Sequence, residues 1–444
     1  MRDVALVLYY ERGWRYWVNA IWAAVEWRGL GADVYAVSYR EPLVELLSSL
    51  LRRYRAVALG LGFLTTQLPY VLDVVRLVKR VREAATSPQG RLYLVAGGPH
   101  PTGDPLGTLR MGFDLVVYGE GEDTVVELLQ HLSESPRELP RVCGTAWLEG
   151  GRVVVRRRLR YVDLDSYPPF PYWRRRFGPV EIMRGCSSAC FFCQVSFMFG
   201  RPRYRSVDTV VDIARRVFSS GLRDLRFIAP NSLGYMSRDG VRPNHSALEE
   251  LLSRLRRLAD GYGGRVFFGS FPSEVRPDSV DEESARILKR YVDNGRVIVG
   301  GQSGSDRVLR TVHRGHTIDD VFRAVEILRS HGFLPEVDFI FGLPGEDDED
   351  VELTIRAMER LAAMGARIHA HTFMPLPGTP FHDAPPGWVD ERVRRVVAKL
   401  IGRGRAYGEW EEQEAIARMI DEYRRSGVIA SRVENFKKSI FLMC

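Results

Sequence analysis

The segment around Cys186, Cys190 and Cys193 constrains this chain most, because it places three of the five cysteines within eight residues. Thiolates are soft ligands that select iron–sulfur clusters, zinc or copper(I). A structural zinc site takes four ligands, whereas neither a second cysteine pair nor a histidine lies near this C-x3-C-x2-C segment. Three thiolates on a cubane cluster leave one iron open for chemistry. We therefore predict a catalytic cluster on one loop; a structural thiol cluster or three buried cysteines is the alternative.

Residues 184–193 resemble the cluster motif of the radical SAM superfamily. The resemblance implies a [4Fe–4S] cluster on Cys186, Cys190 and Cys193, with S-adenosylmethionine (SAM) on the open iron. It also implies that Phe192, just before the third cysteine, lies beside the adenine of SAM. The implied activity is reductive cleavage of SAM to methionine and a 5′-deoxyadenosyl radical.

Residues 1–135 alternate short apolar runs with amphipathic stretches. This alternation predicts an α/β domain with a Rossmann-like, doubly wound parallel sheet, whose ligands bind beyond the carboxyl ends of the strands. Glycines follow those ends and let a backbone approach a ligand closely. The predicted strands are residues 3–10, 33–38, 56–63, 92–96 and 115–118, and the predicted helices are residues 14–28, 42–54, 69–84 and 122–132.

Two of these turns, residues 97–100 and 114–122, resemble the cobalamin-binding domain that precedes many radical SAM domains. That family places a cobalt-ligating histidine in a D-x-H-x-x-G signature after the first strand, where this chain reads Y-E-R-G-W-R at residues 10–15. Bound cobalamin would therefore lack a histidine ligand, or the domain has lost the cofactor. The resemblance implies cofactor contacts at Gly97, Gly98, His100, Gly119 and Glu120, with a polar turn role as the alternative for His100.

Residues 136–179 form a predicted connector between two domains. Two short strands around Gly150-Gly151 precede a proline-rich extended segment, as is typical of a turn and a linker. Cys143 lies in this connector and is interpreted as a small buried residue.

Between residues 180 and 385 the strand–helix alternation resumes and predicts a partial (β/α)6 barrel, the fold that the radical SAM resemblance implies. Active sites of such barrels lie at the carboxyl ends of the strands. The predicted strands are residues 180–183, 224–229, 265–269, 296–300, 337–341 and 367–372.

Polar and glycine-rich segments follow these strands, and the resemblance implies SAM contacts within them. Gln302 stands where most relatives have a glutamate, an exchange that keeps hydrogen bonding but removes a charge. Arg314 lies in an R-G-H-T segment and anchors either this loop or the SAM carboxylate. Besides Phe192, the implied contacts are Asn231, Ser232, Ser270, Ser273, Glu274, Gln302, Ser303, Arg314 and Gly345, with helix capping as the alternative for Ser273.

His371 ends the sixth predicted strand, shortly before a P-G-T-P element that also occurs in methylthiotransferases and cobalamin-linked relatives. Strand phase directs His371 into the barrel mouth as an acid, a base or a substrate contact; a hydrogen-bonded core histidine is the alternative. Residues 386–444 are charged and predict a helical extension across the opening. We interpret the last residue, Cys444, as a frayed terminus or as a thiol folded into the site.

The net charge is +7, and only five of the 63 basic residues are lysines. This arginine bias is a poor argument for nucleic acid, which is possible as a partner but not indicated. The chain contains no run of 18 uncharged apolar residues and no signal-peptide pattern, so we expect no membrane span. We expect a cytoplasmic protein, since an oxygen-sensitive cluster needs a reducing compartment.

Together, the two resemblances favour cobalamin-dependent methylation of an unactivated carbon, with an electron donor such as ferredoxin or flavodoxin. A methylthiotransferase acting on tRNA or protein is the second hypothesis, but residues 1–142 lack the three further cysteines of that family. A non-catalytic iron–sulfur protein that senses or transfers electrons is the third. The sequence does not specify the methyl-acceptor substrate.

Overall fold

The computed structural model describes residues 2–11, 13, 15–38, 42–84 and 90–444. Within the segment that replaces the cobalt-ligand signature, Arg12 and Trp14 lie outside the described residues. The described residues form two compact units. The first unit contains residues up to 178 together with residues 376–378 and 422–444, and the second contains residues 179–375 and 379–421.

Strands and helices alternate along most of the chain, as the sequence pattern predicts. In chain order the strands are β1 Arg2–Tyr10, β2 Asp33–Ser38, β3 Tyr54–Gly62, β4 Arg91–Gly97, β5 Leu115–Val117, β6 Thr145–Glu149, β7 Arg152–Arg157, β8 Val180–Glu181, β9 Met183–Arg184, β10 Arg203–Tyr204, β11 Asp224–Ile228, β12 Arg265–Phe267, β13 Arg296–Gln302, β14 Leu334–Phe341, β15 Arg367–Thr372, β16 Ala406–Tyr407 and β17 Ser439–Met443. In chain order the helices are α1 Arg15–Trp27, α2 Leu43–Arg53, α3 Leu68–Ala84, α4 Pro99–Gly103, α5 Pro105–Arg110, α6 Glu122–Glu134, α7 Gln194–Phe199, α8 Val207–Ser219, α9 His245–Tyr262, α10 Glu282–Tyr291, α11 Asp306–Thr311, α12 Ile318–Ser330, α13 Asp348–Ala363, α14 Glu391–Gly402, α15 Trp410–Arg425 and α16 Arg432–Lys438.

The first unit is built on one sheet with the order β17-β7-β6-β5-β4-β3-β1-β2. Strands β1 to β5 run parallel, β6 pairs antiparallel with both β5 and β7, and β17 runs parallel to β7. The parallel part therefore has the order 2-1-3-4-5, which confirms the predicted doubly wound sheet. Its connections reverse direction between β1 and β3, and such sheets bind ligands in the crevice beyond the carboxyl ends of those two strands.

Strand β1 shows why this sheet is covered on both faces. Val4, Leu6 and Leu8 point to one face and Ala5 and Val7 to the other, and each is at most 3% exposed. A strand that is apolar at nearly every position is typical of a parallel sheet with helices on both sides.

The C-terminal residues depart from the predicted helical extension at residues 386–444. The apolar run at Ser439–Met443 forms β17 beside β7, because an extended apolar segment can add to the free edge of the sheet. Cys444 is neither frayed nor part of the site, since it forms a disulfide with Cys143. The interpretation of Cys143 as an unpaired buried residue is therefore wrong as well.

The second unit contains two parallel sheets, ordered β12-β11-β8 and β13-β14-β15-β16. The loop after β12 links them, because Ile298 N donates to Gly269 O at 2.9 Å and Val275 N donates to Ile298 O at 2.8 Å. The linked strands follow one another in chain order, which confirms the predicted partial barrel. Strand β16 was not anticipated from the sequence; its two residues pair with the outer edge of β15.

Side-chain caps set where several barrel helices begin. Thr317 and Asp320 form a reciprocal capping box at α12, and Asp347 and Asp350 form another at α13. Each box satisfies backbone N–H groups that the first helical turn leaves unpaired. Among the described helices, none combines the length and apolar character that crossing a membrane requires.

Candidate active site

The three cysteines of the motif lie on the loop between β9 and α7, and all three are free thiols. Cys186 N donates to Gly200 O and Cys193 N donates to Cys190 O, both at 3.0 Å. Gly185 has a φ of 85°, and a Cβ there would lie 2.7 Å from Gly200 O. A glycine at this position therefore lets the loop fold back against residue 200 and present the three thiols together.

Among the described residues, the three cysteines do not form a group whose ligand atoms all lie within 4.8 Å of one another. Thiolates around one tetrahedral zinc ion lie about 3.8 Å apart. The loop as it stands is therefore not a closed zinc site.

Arg314 lies against the cysteine loop and is only 5% exposed. Its Nη1 donates to Cys190 Sγ at 3.6 Å, and its Nη2 donates to Gly300 O at 2.8 Å. A cation beside a thiol favours the thiolate form, which is the form that binds metal. The expected anchoring role of Arg314 is therefore directed at a cluster cysteine.

The two histidines beside Arg314 support the same loop. His313 Nδ1 donates to Ser188 O at 2.9 Å, and its ring stacks on Phe191 with 5.3 Å between centroids. His316 Nε2 accepts from Arg314 Nε at 3.1 Å. Burial, together with the charge of Arg314, lowers the pKa of His316 to about 3, so this ring is neutral and holds the guanidinium in place.

Asn231, a predicted SAM contact, directs its side-chain polar atoms to the protein itself. The residue is fully buried, its amide nitrogen donates to Gly240 O at 3.0 Å and Ser279 Oγ at 2.8 Å, and its oxygen accepts from Arg276 N at 3.1 Å. The structure therefore assigns Asn231 to holding the strand-end loops, and a SAM contact through its amide is not supported.

The hydroxyl groups of Ser273 and Ser303 also form hydrogen bonds within the protein. Ser273 Oγ donates to Phe227 O at 2.6 Å and accepts from Ala229 N at 3.1 Å. Ser303 has no exposed surface, and its Oγ accepts from Ser305 N at 3.2 Å. Ser273 therefore joins its loop to the end of β11, and its predicted contact with SAM stays a prediction.

Ser232 and Ser270 differ from these residues. Within the described part of the chain, the Oγ atoms of both are buried and have no hydrogen-bond partner. A buried hydroxyl without a partner is costly, and a polar ligand at this end of the barrel would satisfy both. These two serines therefore fit the predicted SAM contacts.

Glu274 and Gln302 lie at neighbouring strand ends. Burial raises the pKa of Glu274, although Arg314 and Arg276 act in the opposite direction. Gln302 is 5% exposed, has a φ of 75° and follows an irregularity in the β13–β14 pairing. A neutral amide at this position adds no second negative charge beside Glu274.

Phe192 and the G-L-P-G-E turn share one apolar cluster. Phe192 packs against the buried group of Val308, Val312, Leu343 and Phe373, in which Leu343 belongs to the turn. Gly345 has a φ of 88° in this turn, and Glu346 Oε2 accepts from Leu343 N at 3.1 Å. Glu346 therefore braces the turn, and Phe192 lies where an adenine would find an apolar surface.

His371 belongs to a polar group that sequence reasoning missed. Its Nε2 lies 3.1 Å from His369 Nδ1, which lies 2.8 Å from Asp338 Oδ1. Burial opposes ionisation of Asp338, but the hydrogen bonds from the two histidines outweigh burial and lower its pKa. The sequence does show alternating polar residues in these two strands, at 336 and 338 and at 367, 369 and 371. This alternation indicates a polar strand face, but it does not reveal which residues pair across the strands.

In the first unit, Gly97 is the last residue of β4, Gly98 follows it directly, and Gly119 lies in the turn after β5. Gly98 has a φ of 93°, and a Cβ there would lie 3.1 Å from Phe63 N. Gly119 has a φ of 85°, and no heavy atom lies within 4 Å of the place of its Cβ. Gly98 is therefore needed for close backbone packing, whereas Gly119 leaves open surface at the edge where ligands bind.

His100 and Glu120 hold the structure around these turns. His100 has no exposed surface, its Nδ1 shares a hydrogen bond with Thr65 Oγ1 at 3.0 Å, and its ring stacks on Phe63 at 5.3 Å. Glu120 Oε2 accepts from Val162 N at 2.6 Å. The turn role is therefore the one that the structure supports for His100, and Glu120 ties the connector to the sheet.

Trp17 covers the carboxyl end of β3. A Cβ at Gly62 would lie 2.6 Å from the indole of Trp17, so the ring lies directly on the glycine backbone. Strand β3 is one of the two strands that bound the ligand crevice. Trp17 and the open turn at Gly119 therefore place an aromatic ring and free space at the edge where such sheets bind ligands.

Two family models match this chain. Residues 180–358 match the model of the radical SAM superfamily, and residues 9–129 match the model of the B12 binding domain.

Known relatives and solved structures agree with these matches. An uncharacterised protein of Methanopyrus kandleri is 29% identical over 350 residues, which cover 67% of this chain and 64% of that protein, just under two thirds of its length. An uncharacterised methyltransferase of Pyrococcus horikoshii is 27% identical over 348 residues, which cover 75% of this chain and 70% of that protein. One similar solved structure is that of TsrM from Kitasatospora setae, a radical SAM methyltransferase with cobalamin and a [4Fe–4S] cluster bound. The match has a TM-score of 0.64 at 19% identity and covers 86% of this chain and 74% of that chain. It shows a shared fold.

Proposed function

Given that the chain carries a radical SAM domain and, ahead of it, a B12-binding domain, we propose that it is a cobalamin-dependent radical SAM methyltransferase acting on an unactivated carbon. The observation that carries this proposal is the loop of three free thiols with the Arg314 guanidinium on Cys190. When bound, a [4Fe–4S] cluster supplies the electron that cleaves SAM reductively, and cobalamin supplies the methyl group.

The chain's own residues bind and orient these groups. Cys186, Cys190 and Cys193 hold the cluster. Arg314 places positive charge next to one thiolate, where charge and hydrogen bonding to sulfur set the reduction potential. Ser232 and Ser270 offer buried hydroxyls to the polar part of SAM.

In the first unit, the residues present fit a corrin bound without a histidine ligand. Trp17 offers a flat surface at the end of β3, and Gly119 leaves space at the end of β5. Glu11 and Gly13 stand in the segment where the cobalt-ligating histidine is expected, and no histidine occurs at residues 10–15. Cobalamin would therefore be held by residues at this edge of the sheet, without a histidine from residues 10–15.

Methyl transfer is favoured over methylthiolation for two reasons. The Pyrococcus horikoshii relative is named an uncharacterised methyltransferase, and the structural neighbour TsrM is described as a methyltransferase. Residues 1–142 contain no cysteine, so a second cluster has no thiolate ligands there. The electron donor, the cytoplasmic location and the methyl acceptor stay predictions.

The test is anaerobic reconstitution of the full chain with iron and sulfide, followed by cobalamin, SAM and dithionite. We expect about one cobalamin per chain by optical spectroscopy, and formation of 5′-deoxyadenosine and methionine by chromatography. Cys190→Ala should abolish both products, because one cluster ligand is lost. Cys143→Ser is the matched control: it removes a cysteine outside the motif and should leave product formation intact.

Two results would contradict the proposal in different ways. Product formation without cobalamin binding would leave a radical SAM enzyme but exclude methyl transfer through cobalt. Equal product formation by wild type and Cys190→Ala would exclude cluster-dependent SAM cleavage altogether.

A further inference from the structure

Three metal-ligand atoms converge inside the barrel, away from the cysteine loop. Asp338 on β14 pairs in register with His369 on β15, and His371 lies two residues further along β15 on the same face. Asp338 Oδ1 lies 2.8 Å from His369 Nδ1 and 3.8 Å from His371 Nε2, and the two ring nitrogens are 3.1 Å apart. Within the described residues, this is the only group of three His, Cys, Asp or Glu ligand atoms that all lie within 4.8 Å of one another.

These distances match the spacing of ligands around one metal ion. With bonds of about 2.1 Å, neighbouring ligand atoms lie about 3.0 Å apart in octahedral geometry and about 3.4 Å apart in tetrahedral geometry. The side chain of Asp338 is 11% exposed, and those of His369 and His371 are 25% and 26% exposed. The barrel therefore holds the group but leaves one side open. A metal site that binds a further ligand needs such an open side.

With the Gln413 amide in the orientation shown, protons do not satisfy every contact of this group. A turned amide would let them do so, and the metal proposal therefore rests on the ligand spacing. Gln413 Oε1 accepts from Thr372 N at 2.9 Å, which turns its amide nitrogen toward His371 Nδ1 at 3.1 Å. A neutral His371 then carries its proton on Nε2 and donates it to His369 Nδ1. His369 Nδ1 must therefore be unprotonated. Its lone pair then faces the lone pairs of the Asp338 carboxylate, which is unfavourable.

Moving the proton does not resolve the conflict. A proton on His369 Nδ1 satisfies Asp338 but brings two N–H groups face to face across the 3.1 Å between the rings. A cation at the centre resolves all three contacts at once, because each atom then offers a lone pair to it.

We propose that Asp338, His369 and His371 bind a divalent transition-metal ion, with the open positions facing the barrel interior. Two imidazoles and one carboxylate are a donor set that zinc and iron(II) take in proteins. This proposal goes beyond the proposed function, since it requires neither cobalamin nor SAM cleavage. It identifies a place where a substrate with a metal-binding group would be held.

The surroundings are consistent with a bound cation. The ring of Tyr407 stacks on His369 at 4.4 Å between centroids and an angle of 10°, which fixes its orientation. The neighbouring arginine, Arg367, is paired with Glu336 at 3.1 Å. Metal binding through His371 Nε2 leaves a proton on Nδ1, so Gln413 must then turn its carbonyl oxygen to that proton, the outer-shell contact that metal-bound histidines usually make.

The experiment measures zinc binding to the cluster-reconstituted full chain. Zinc is the probe because the cluster contributes iron and cobalamin contributes cobalt, whereas zinc is supplied only by the titration. Isothermal titration and elemental analysis after desalting should give about one zinc per chain. His371→Ala should lower zinc affinity at least 10-fold, and Gln413→Glu should raise it about 10-fold, since a carboxylate accepts the Nδ1 proton better than an amide.

His245→Ala is the matched control, because His245 also pairs with an aspartate, Asp281, at 2.9 Å but lacks a third ligand. Its zinc affinity should equal that of wild type. The iron–sulfur absorbance, recorded for every variant, shows that the barrel is folded.

The proposal is overturned if the wild type retains no zinc, or if His371→Ala and Gln413→Glu both bind it like wild type. It is equally overturned if zinc binding survives in His371→Ala and disappears in Cys190→Ala, because zinc then occupies the cysteine loop. If zinc binds at this group but the protein does not cleave SAM, the proposed function is wrong and the metal-site proposal still stands.

Discussion

Arg314 donates from Nη1 to Cys190 Sγ at 3.6 Å and from Nη2 to Gly300 O at 2.8 Å. The first contact joins a buried cation to a cluster cysteine, and the second fixes the guanidinium to the end of β13. A Cβ at residue 300 would overlap the guanidinium, so an alanine there would displace it. The electrostatics of the cysteine loop therefore depend on a residue more than a hundred positions away in the chain.

Arg314→Gln should make the reduction potential of the reconstituted cluster more negative. Reduction adds an electron to the cluster, and the variant removes both a positive charge and a hydrogen bond that favour the reduced state. The measurement is a dithionite titration followed by EPR, and a shift of tens of millivolts is expected. Arg310→Gln, at an exposed position of α11, should not shift the potential. An unchanged potential in Arg314→Gln would mean that the guanidinium does not act on the cluster.

Gly300→Ala should displace Arg314 and shift the potential in the same direction. The added Cβ overlaps the guanidinium and would lie 2.9 Å from Gln302 Nε2. Both atoms end long side chains that can shift, so we expect the unfolding free energy to fall by about 1 kcal/mol, the low end of the overpacking range. Gly295→Ala is the control, since no heavy atom lies within 4 Å of its Cβ position. Denaturant unfolding and the EPR titration report the two effects; a variant that matches Gly295→Ala in both would contradict this prediction.

The fold was accessible from the sequence because its signals are local. The predicted strand at residues 367–372 coincides with Arg367–Thr372, since a short alternating run between glycine-containing turns has few other solutions. The cysteine loop was accessible for the same reason: spacing within eight residues specifies which thiols act together.

The features that the sequence did not predict depend on contacts between residues far apart in the chain. The Cys143–Cys444 disulfide joins positions separated by 301 residues, and β17 pairs with the similarly distant β7. No local pattern encodes such partners. Asn231 was taken for a ligand contact because a polar residue at a strand end is typical of one. Only the structure shows that Gly240, Ser279 and Arg276 already use its amide.

Asn231→Ala should lower the unfolding free energy without removing SAM binding. The variant leaves buried partners unsatisfied, which costs about 1–3 kcal/mol for each strongly affected group. Asn244→Ala is the control: Asn244 caps α9, and loss of a cap costs about 1 kcal/mol. Urea unfolding and equilibrium SAM binding to the reconstituted protein are the measurements. Normal stability with lost SAM binding would restore Asn231 as a direct contact.

Asp104 should make the first unit more stable as the pH falls from 7.5 to 5. Burial raises its pKa to about 6, despite hydrogen bonds from Asn435, Gly107 N and Ala430 N. Because the folded pKa lies above the unfolded value, the protonated form favours folding, and this contribution is lost as the pH rises through 6. With an unfolded value near 3.9, the gain between pH 7.5 and 5 is about 1.4 kcal/mol.

The matching variant is Asp104→Asn, which cannot titrate. The difference in unfolding free energy between wild type and variant should move in favour of wild type by about 1.4 kcal/mol over that pH interval. Urea unfolding at several pH values measures it. A difference that is constant with pH would mean that Asp104 keeps an ordinary pKa in the folded chain.

Cys143→Ser should loosen β17. The strand lies at the edge of the sheet, with β7 as its neighbour among the described strands, and the disulfide holds its far end, where Cys444 N donates to Arg157 O at 3.1 Å. Hydrogen exchange at Ser439–Met443 should accelerate, and the unfolding free energy should fall by about 2–4 kcal/mol. Cys190→Ser is the control, because Cys190 is a free thiol and its loss should leave exchange in β17 unchanged. Equal protection of β17 in both variants would mean that pairing with β7 alone holds the C-terminus.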